Sequence, residues 1–418
     1  MKKIMTGMNN IQTCSRCLYS DDHPLGLIID DSGICSGCKI HEEKDNLDWN
    51  SRLNDLKRLV KPYKSKTGKS YDCIVPVTGG QDSYFIVHIV KNILNLNPLL
   101  VSYNKYFNTP IGIRNLANLR IKFDCDILTK NVNPKSVKNI TRHTLRKYGN
   151  MYWPILAGHT VFPVQTAVTH KIPLIIWGAH QGLEQVGMFS HLHNVEMSRR
   201  YRKDHDLFGI EADALLDIFD NINEEDVWQY RYPSDIDIDQ IGVRGIYLGN
   251  YIRWDPKQQH EDMIKIYDYK TQVFARTFDK YDFVDCYNYM HIHDMLKFFK
   301  CGYSKVTDHA CREIRHGRLS RNNAINLVNQ YSQIDFENLE LFAKWLGTSP
   351  NSVRYVMDLH RNPNYWKEIS PQVWKYVDKE NDDFLNEKES KFNQINFQDN
   401  MYKNKSNDKY IIVGKGYP

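Results

Sequence analysis

The sequence predicts an α/β protein, a doubly wound parallel sheet, with a small module before it and a helical region after it. Three observations carry that prediction. Short apolar runs alternate with stretches of helical periodicity across residues 71–178. The first of these runs ends on a glycine pair and restarts as a helix. Ahead of it, four of the nine cysteines stand in two CxxC pairs.

Those pairs, Cys14-Ser-Arg-Cys17 and Cys35-Ser-Gly-Cys38, flank a spacer with hairpin chemistry: Pro24-Leu-Gly26, an apolar run over 27–29, then Asp30-Asp-Ser-Gly33. Two such knuckles aim four thiolates at one point and close a tetrahedral zinc site with no position left for substrate. Zinc on Cys14, Cys17, Cys35 and Cys38 is the expectation. A metal-free set of buried thiols and an iron–sulfur cluster are the alternatives. The module is assigned to residues 1–48. Residues 42–66 are charged and helical in pattern. Gly68-Lys69-Ser70 imitates the end of a nucleotide P-loop, but position 63 is Tyr and the triplet precedes a strand, so the motif fails.

The run at 72–77 is a buried strand, Thr78-Gly-Gly-Gln-Asp-Ser83 breaks it, and Phe85, Ile86, Ile89, Val90, Ile93 and Leu94 recur at helical spacing. A helix that starts after such a turn presents unpaired N–H groups and its positive dipole end, and the glycines let the main chain close around a phosphate. Further strands are expected at 98–103, 125–128 and 173–178, and helices at 112–123, 134–148 and 161–169. In parallel sheets ligands bind beyond the carboxyl ends of the strands. Thr78–Ser83, Tyr103, Asn104 and the segment Gly178–Glu184 fall at that edge.

The 418 residues allow two or three domains, with 41% apolar and 25% charged residues. The net charge of +5, spread along the chain, is too small to argue for nucleic acid by itself, and such a partner is not expected. No apolar run approaches the ~20 residues of a membrane span, and the first ten residues lack the apolar core of a signal peptide. A cytoplasmic setting is expected, consistent with CxxC pairs that bind metal rather than oxidise.

Placed between strand and helix, Thr78-Gly-Gly-Gln-Asp-Ser83 resembles the pyrophosphate loop (PP-loop) of the N-type ATP pyrophosphatases, with Thr78 for the usual Ser. The resemblance implies an adenine-nucleotide α-hydrolase fold over residues 49–320 that splits ATP between its α- and β-phosphates. Thr78, Gly79, Gly80, Gln81, Asp82, Ser83, Tyr103 and Gly178 are then the candidate nucleotide contacts. Asp82 is a candidate magnesium ligand, since Mg2+ prefers oxygen donors; its alternative role is to cap the helix. A second segment, from Met290 through Lys305, Asp308 and Arg312 to Arg321, resembles the N-acetyl sugar amidotransferases of surface-polysaccharide and flagellin-sugar biosynthesis. Tyr247–Asp255 is similar to the same family, with Asn250 where Asp is expected.

That family implies conversion of a sugar acetamido group to an acetamidino group. AMP is transferred to the amide oxygen, ammonia adds to the carbon, and AMP leaves. It also implies ammonia from a separate glutaminase subunit with a partner like imidazole glycerol phosphate synthase; no glutaminase signature is present in this chain. Asp82, Ser83, Lys305 and Asp308 are the candidate catalytic residues. Glu184, Arg312 and Arg315 are candidate substrate contacts, against the alternatives of a surface loop and a solvated basic helix face. Asp308 is also expected to cap the helix that follows it. His191-x-His193 and His291-x-His293 lack a nearby carboxylate or cysteine set in sequence and are not expected to hold metal. A tRNA thiolase is the main competing reading and a non-catalytic zinc-ribbon scaffold with an ATP-binding fold the third; against the thiolase, the cysteines beyond the two CxxC pairs are scattered and never spaced as CxxC, and a basic stripe for tRNA is missing. Residues 321–376 are expected to be helical, and 377–418 a polar, loosely ordered tail with Tyr410-Ile-Ile-Val as a docking strand.

Overall fold

A computed structural model describes residues 11–377. Its centre is a five-stranded sheet of β1 (Cys73–Pro76), β2 (Pro98–Tyr103), β3 (Ile127–Lys130), β4 (Leu174–Trp177) and β5 (Arg244–Tyr247). The order is β3-β2-β1-β4-β5, and every pairing is parallel. The chain leaves β1 toward β2 on one side and returns to β4 on the other. The topological switch point therefore lies between β1 and β4, where such sheets open a crevice for ligands.

The two-residue period of the strands divides the core. Cys73, Val75 and Val77 face α3 (Gln81–His88) and α4 (Pro110–Phe123), together with Leu56 and Val60 of α2 (Trp49–Val60). Ile74, Leu99, Val101 and Ile175 face Val164 and Ala167 of α6 (Trp153–His170). Both faces are buried, which is why these strands read as unbroken apolar runs. α1 (Ser36–Glu43) belongs to the N-terminal module, and α5 (Pro134–Tyr148) packs beside α6.

Several boundaries differ from expectation. The third strand begins at Ile127, because α4 ends on Asp124 in the left-handed region (φ 48°) and Cys125 and Asp126 complete that turn. α6 starts at Trp153, eight residues before the expected 161, and runs through Pro163. Burial of Trp153, Ile155, Ala157 and Val161 holds it together despite the missing N–H. β5, with its glycine, was not expected. The region after 320 is not wholly helical: an antiparallel hairpin, β6 (Trp366–Ser370) and β7 (Val373–Tyr376), follows the last helix. The expected tail strand at Tyr410 lies outside the described residues.

A second core joins the sheet domain to this later region. Phe107, Trp153, Ile292, Phe298, Phe342, Met357 and Trp366 share it. Phe342 is fully buried, 5.9 Å from the Phe107 ring. Phe342→Ala is expected to cost about 3 kcal/mol, as large aromatic truncations in packed cores do, and to lower the urea midpoint of one cooperative transition. An unchanged midpoint would contradict this packing.

Candidate functional site

The loop after β1 is closed by its own hydroxyls. The Thr78 N–H donates to Ser83 Oγ at 2.9 Å, and the Gly80 N–H donates to Thr78 Oγ1 at 2.9 Å. The residue at position 78 thus acts through its hydroxyl, which Thr and Ser share. Gly80 is the N-cap residue of α3 and offers no side-chain acceptor, so the first amides of α3 have no side-chain cap. Glycine is required at 79 by space: a Cβ there would lie 2.1 Å from the Gly112 carbonyl oxygen.

Asp82 is the second residue of α3 and not its cap, which corrects one of the two expected roles. Its carboxylate is 39% exposed and 3.1 Å from Nε2 of the buried His260, on the helix Pro256–Tyr267 that packs against α3. The carboxylate is therefore oriented but still open to a ligand. Gln81 is tethered differently. Its side chain donates to Asp282 and accepts from the Phe283 N–H at 3.1 Å, tying the loop to the segment 279–285.

Above the loop lies a cavity of about 280 Å³. Thr78, Gln81, Asp82 and Ser83 form its base. Its walls are Tyr103 at the end of β2, Trp177 and Gly178 at the end of β4, Phe283, and one face of α6 from Gly158 to Pro163. The Tyr103 hydroxyl is committed to Tyr230 at 2.7 Å, so Tyr103 contributes its ring. His159 Nε2 and Trp177 Nε1 have no hydrogen-bond partner. Burial, reinforced by Lys105, pushes the His159 imidazole down to about 3, so it is neutral near neutral pH.

The remaining expected residues form a second tier. Lys305 opens the helix Lys305–Arg315, so Asp308 lies within that helix and does not cap it. Lys305 stands behind Phe283, its ammonium 5.4 Å from that ring, 3.4 Å from Asp308 and 3.7 Å from Asp282. Burial opposes its charge, yet Tyr289, Asp282 and Asp308 hold its pKa above the usual range. Asp308 also meets Lys297 at 2.5 Å and accepts from the Tyr19 hydroxyl at 2.8 Å; despite its burial these cations hold its pKa low. Arg312 is not on a solvated face. It pairs with Asp279 and Glu313. Arg315 donates to the Glu184 and Gln185 carbonyls and reaches Cys35 Sγ at 3.6 Å. Glu184 pairs with the buried Lys44 at 2.5 Å and is not a surface-loop residue. Thus the structure gathers the loop, Tyr103 and Gly178 at one cavity. It sets Lys305 and Asp308 one layer back and Arg312, Arg315 and Glu184 farther toward the N-terminal module.

Sequence reasoning missed the ion pair of Lys105 and Asp285, both nearly fully buried. Asp285 Oδ1 has no partner and lies 3.2 Å from where a Cβ on Gly80 would sit. The signal was available: Asp279, Asp282 and Asp285 recur every third residue, and Lys105 follows the named edge residues.

The four module thiols come together as expected. Their sulfurs lie within 4.8 Å of one another, with Cys17 and Cys35 at 3.6 Å. Two thiolates on one tetrahedral ion with bonds of about 2.3 Å would be ~3.8 Å apart, so the set fits one. The N–H groups of Arg16, Cys17 and Cys35 all donate to Cys14 Sγ, as amides do around a thiolate centre. His191 is fully buried against Trp49 and belongs to no metal-ligating group among the described residues. His291 differs: Asp335 and Glu337, distant in sequence, lie beside it.

Comparison with known proteins agrees with part of this reading. Residues 275–380 match the family model described as "LPS biosynthesis protein WbpG-like, C-terminal domain". This stretch of the chain is therefore similar to a lipopolysaccharide biosynthesis protein, which supports the sugar-biosynthesis side of the resemblance. An uncharacterized protein of Methanocaldococcus jannaschii is 24% identical over 118 residues, 28% of this chain and 42% of that protein. The match thus spans less than half the length of that curated relative. Among the described residues no helix is long and apolar enough to cross a membrane.

Two outcomes test the geometry. Gly79→Ala should cost about 3 kcal/mol, because backbone blocks the new methyl; wild-type stability in urea would contradict the close approach. Burial, then Lys44 and Arg52, push the His191 pKa from 6.5 down to about 3. The unfolded chain therefore takes a proton that the folded chain refuses as pH falls below 6.5. Stability should drop by about 1.4 kcal/mol per pH unit from this residue until about pH 3. His191→Gln should remove that part of the slope, read from urea midpoints across pH; an unchanged slope would contradict the burial.

Proposed function

We propose that the protein is an ATP-dependent amidotransferase that turns an acetamido group of an N-acetyl sugar into an acetamidino group, releasing AMP and pyrophosphate. The observation that carries this reading is the glycine loop and uncapped N-terminus of α3 beneath a cavity at the β1–β4 switch point. It occurs in a chain whose later part matches a lipopolysaccharide biosynthesis domain. An uncapped helix start and a hydroxyl-braced glycine turn suit pyrophosphate. The rings of Phe162, Trp177 and Phe283 suit a base.

An amide carbon is a poor electrophile and its oxygen a poor leaving group. Attack of the amide oxygen on the α-phosphorus breaks the bond to pyrophosphate and makes that oxygen part of AMP. Ammonia then adds to the carbon, loses a proton, and expels AMP with the former amide oxygen. No covalent protein nucleophile is needed. The protein positions its substrates and offers fixed dipoles and charges where negative charge develops. In this reading the uncapped first amides of α3 and the Ser83 hydroxyl would hold the departing pyrophosphate, and Asp82 would supply a carboxylate ligand for Mg2+, which would neutralise phosphate charge. Lys305 and the Lys105–Asp285 pair set the field around the loop. The four thiolates hold a structural Zn2+, and a separate glutaminase subunit with a synthase-like partner supplies ammonia.

The protein, incubated with ATP, Mg2+, ammonium and a panel of N-acetyl sugars, should form AMP and pyrophosphate only when an accepted sugar is present. The product should be lighter than the sugar by the difference between O and NH. Asp82→Ala should lower kcat about 100-fold or more with zinc content unchanged. AMP formed only with tRNA and a sulfur donor would transfer the reading to a thiolase, and ATP turnover unaffected by Asp82→Ala would remove the loop from it.

A further inference from the structure

We propose that His291, Asp335 and Glu337 bind a divalent transition-metal cation, zinc by their donor set, at a site separate from the four cysteines. His291 sits in the π-helical turn Tyr289–His293 and is 3% exposed. Its Nδ1 is sealed from solvent and has no hydrogen-bond partner, and unlike the other unpartnered imidazoles among the described residues it has two carboxylates at ligand distance. The three donor atoms lie within 4.8 Å of one another.

One distance suits a shared ion. His291 Nδ1 and Glu337 Oε2 are 3.4 Å apart. A hydrogen bond between them would be ~2.9 Å. Two ligands on one tetrahedral zinc, with bonds of about 2.0–2.1 Å, lie ~3.3–3.4 Å apart. Among the described residues neither carboxylate pairs with a lysine or arginine, and Glu337, itself exposed, turns one oxygen toward the buried imidazole. Their backbone is fixed from both ends without a metal. Arg276 donates to the Gln333 carbonyl, and Asn338 Nδ2 donates to the Tyr287 carbonyl at 3.2 Å. The Glu337 N–H donates to Asp335 at 2.9 Å, which holds the turn between the two carboxylates.

Imidazole plus two carboxylates is a donor set for zinc or manganese, and three protein ligands leave a position for water or an incoming group. The same helical turn carries Tyr289, stacked at 3.6 Å on the cavity residue Phe283. An ion here pins the turn that supports the cavity wall.

The test uses the full chain, loaded with Zn2+, desalted and analysed for zinc per chain. The double variant Asp335→Asn, Glu337→Gln should hold one equivalent fewer than wild type. With Co2+ in place of zinc, the thiolate-to-cobalt band of the cysteine centre should be equal in both proteins. Both substitutions are at solvent-accessible carboxylates, so folding is preserved; His291→Gln should reproduce the loss from the buried side. Added Zn2+ should raise the thermal midpoint of wild type and not of the double variant. Equal zinc content in wild type and double variant, or loss of the thiolate band together with the lost equivalent, would overturn the site. AMP formation is not read, so the outcome is independent of the proposed reaction.

Discussion

Three backbone segments meet with no room for a side chain between them, and the site depends on that contact. The loop after β1 lies against the first turn of α4, where a Cβ on Gly79 would strike the Gly112 carbonyl at 2.1 Å. That turn lies in turn against Asp285, whose Cα would be 2.5 Å from a Cβ on Gly112. Loop, helix and acidic segment are thus stacked in a fixed register. The Lys105–Asp285 pair, the Gln81 tether and the carboxylate of Asp82 take their places from it. Such stacking fixes the loop's dipoles before any ligand arrives, which is the preorganisation the proposed reaction calls for.

The region matching the lipopolysaccharide biosynthesis model contributes directly to this arrangement. It begins at residue 275 and so includes Asp279, Asp282 and Asp285 as well as the helix Lys305–Arg315. That helix spans two places. At its start Lys305 lies behind the cavity wall, and at its end Arg315 lies against Cys35 and the carbonyls after β4. The N-terminal module is fastened to the same helix through Tyr19 and Asp308. The cysteine module and the cavity wall therefore lie at the two ends of one helix, held at the module by hydrogen bonds of Asp308 and Arg315 and at the cavity by the buried pairs of Lys305 with Asp282 and Asp308.

Much of the sheet was legible because its signals are local. A buried parallel strand is an apolar run, and Thr78–Ser83 declares its turn by composition. The CxxC pairs declare their convergence by spacing. β5 was hidden because Arg244-Gly-Ile-Tyr247 is short and half polar, and it is a strand only because β4 is there to pair with. The early start of α6 was hidden by Pro163, which tertiary burial overrides. In the site, Thr78–Ser83, Tyr103 and Gly178 were readable because the edge of a parallel sheet is predictable. Lys105 and Asp285 left only a faint trace, the three-residue spacing of Asp279, Asp282 and Asp285, and His260 left none, since each acquires its role from a partner far away in sequence. His291 is the clearest instance: its carboxylate neighbours are more than forty positions distant, and only the folded chain brings them together.

In the proposed reaction the acetamido oxygen of the sugar attacks the α-phosphorus of ATP. A sugar whose acetamido oxygen is isotopically heavy tests it most directly. Turnover with ATP and ammonium should place the heavy oxygen in AMP, with none in pyrophosphate and none left in the sugar product. Heavy oxygen retained by the sugar, or found in inorganic phosphate beside ADP, would contradict the account.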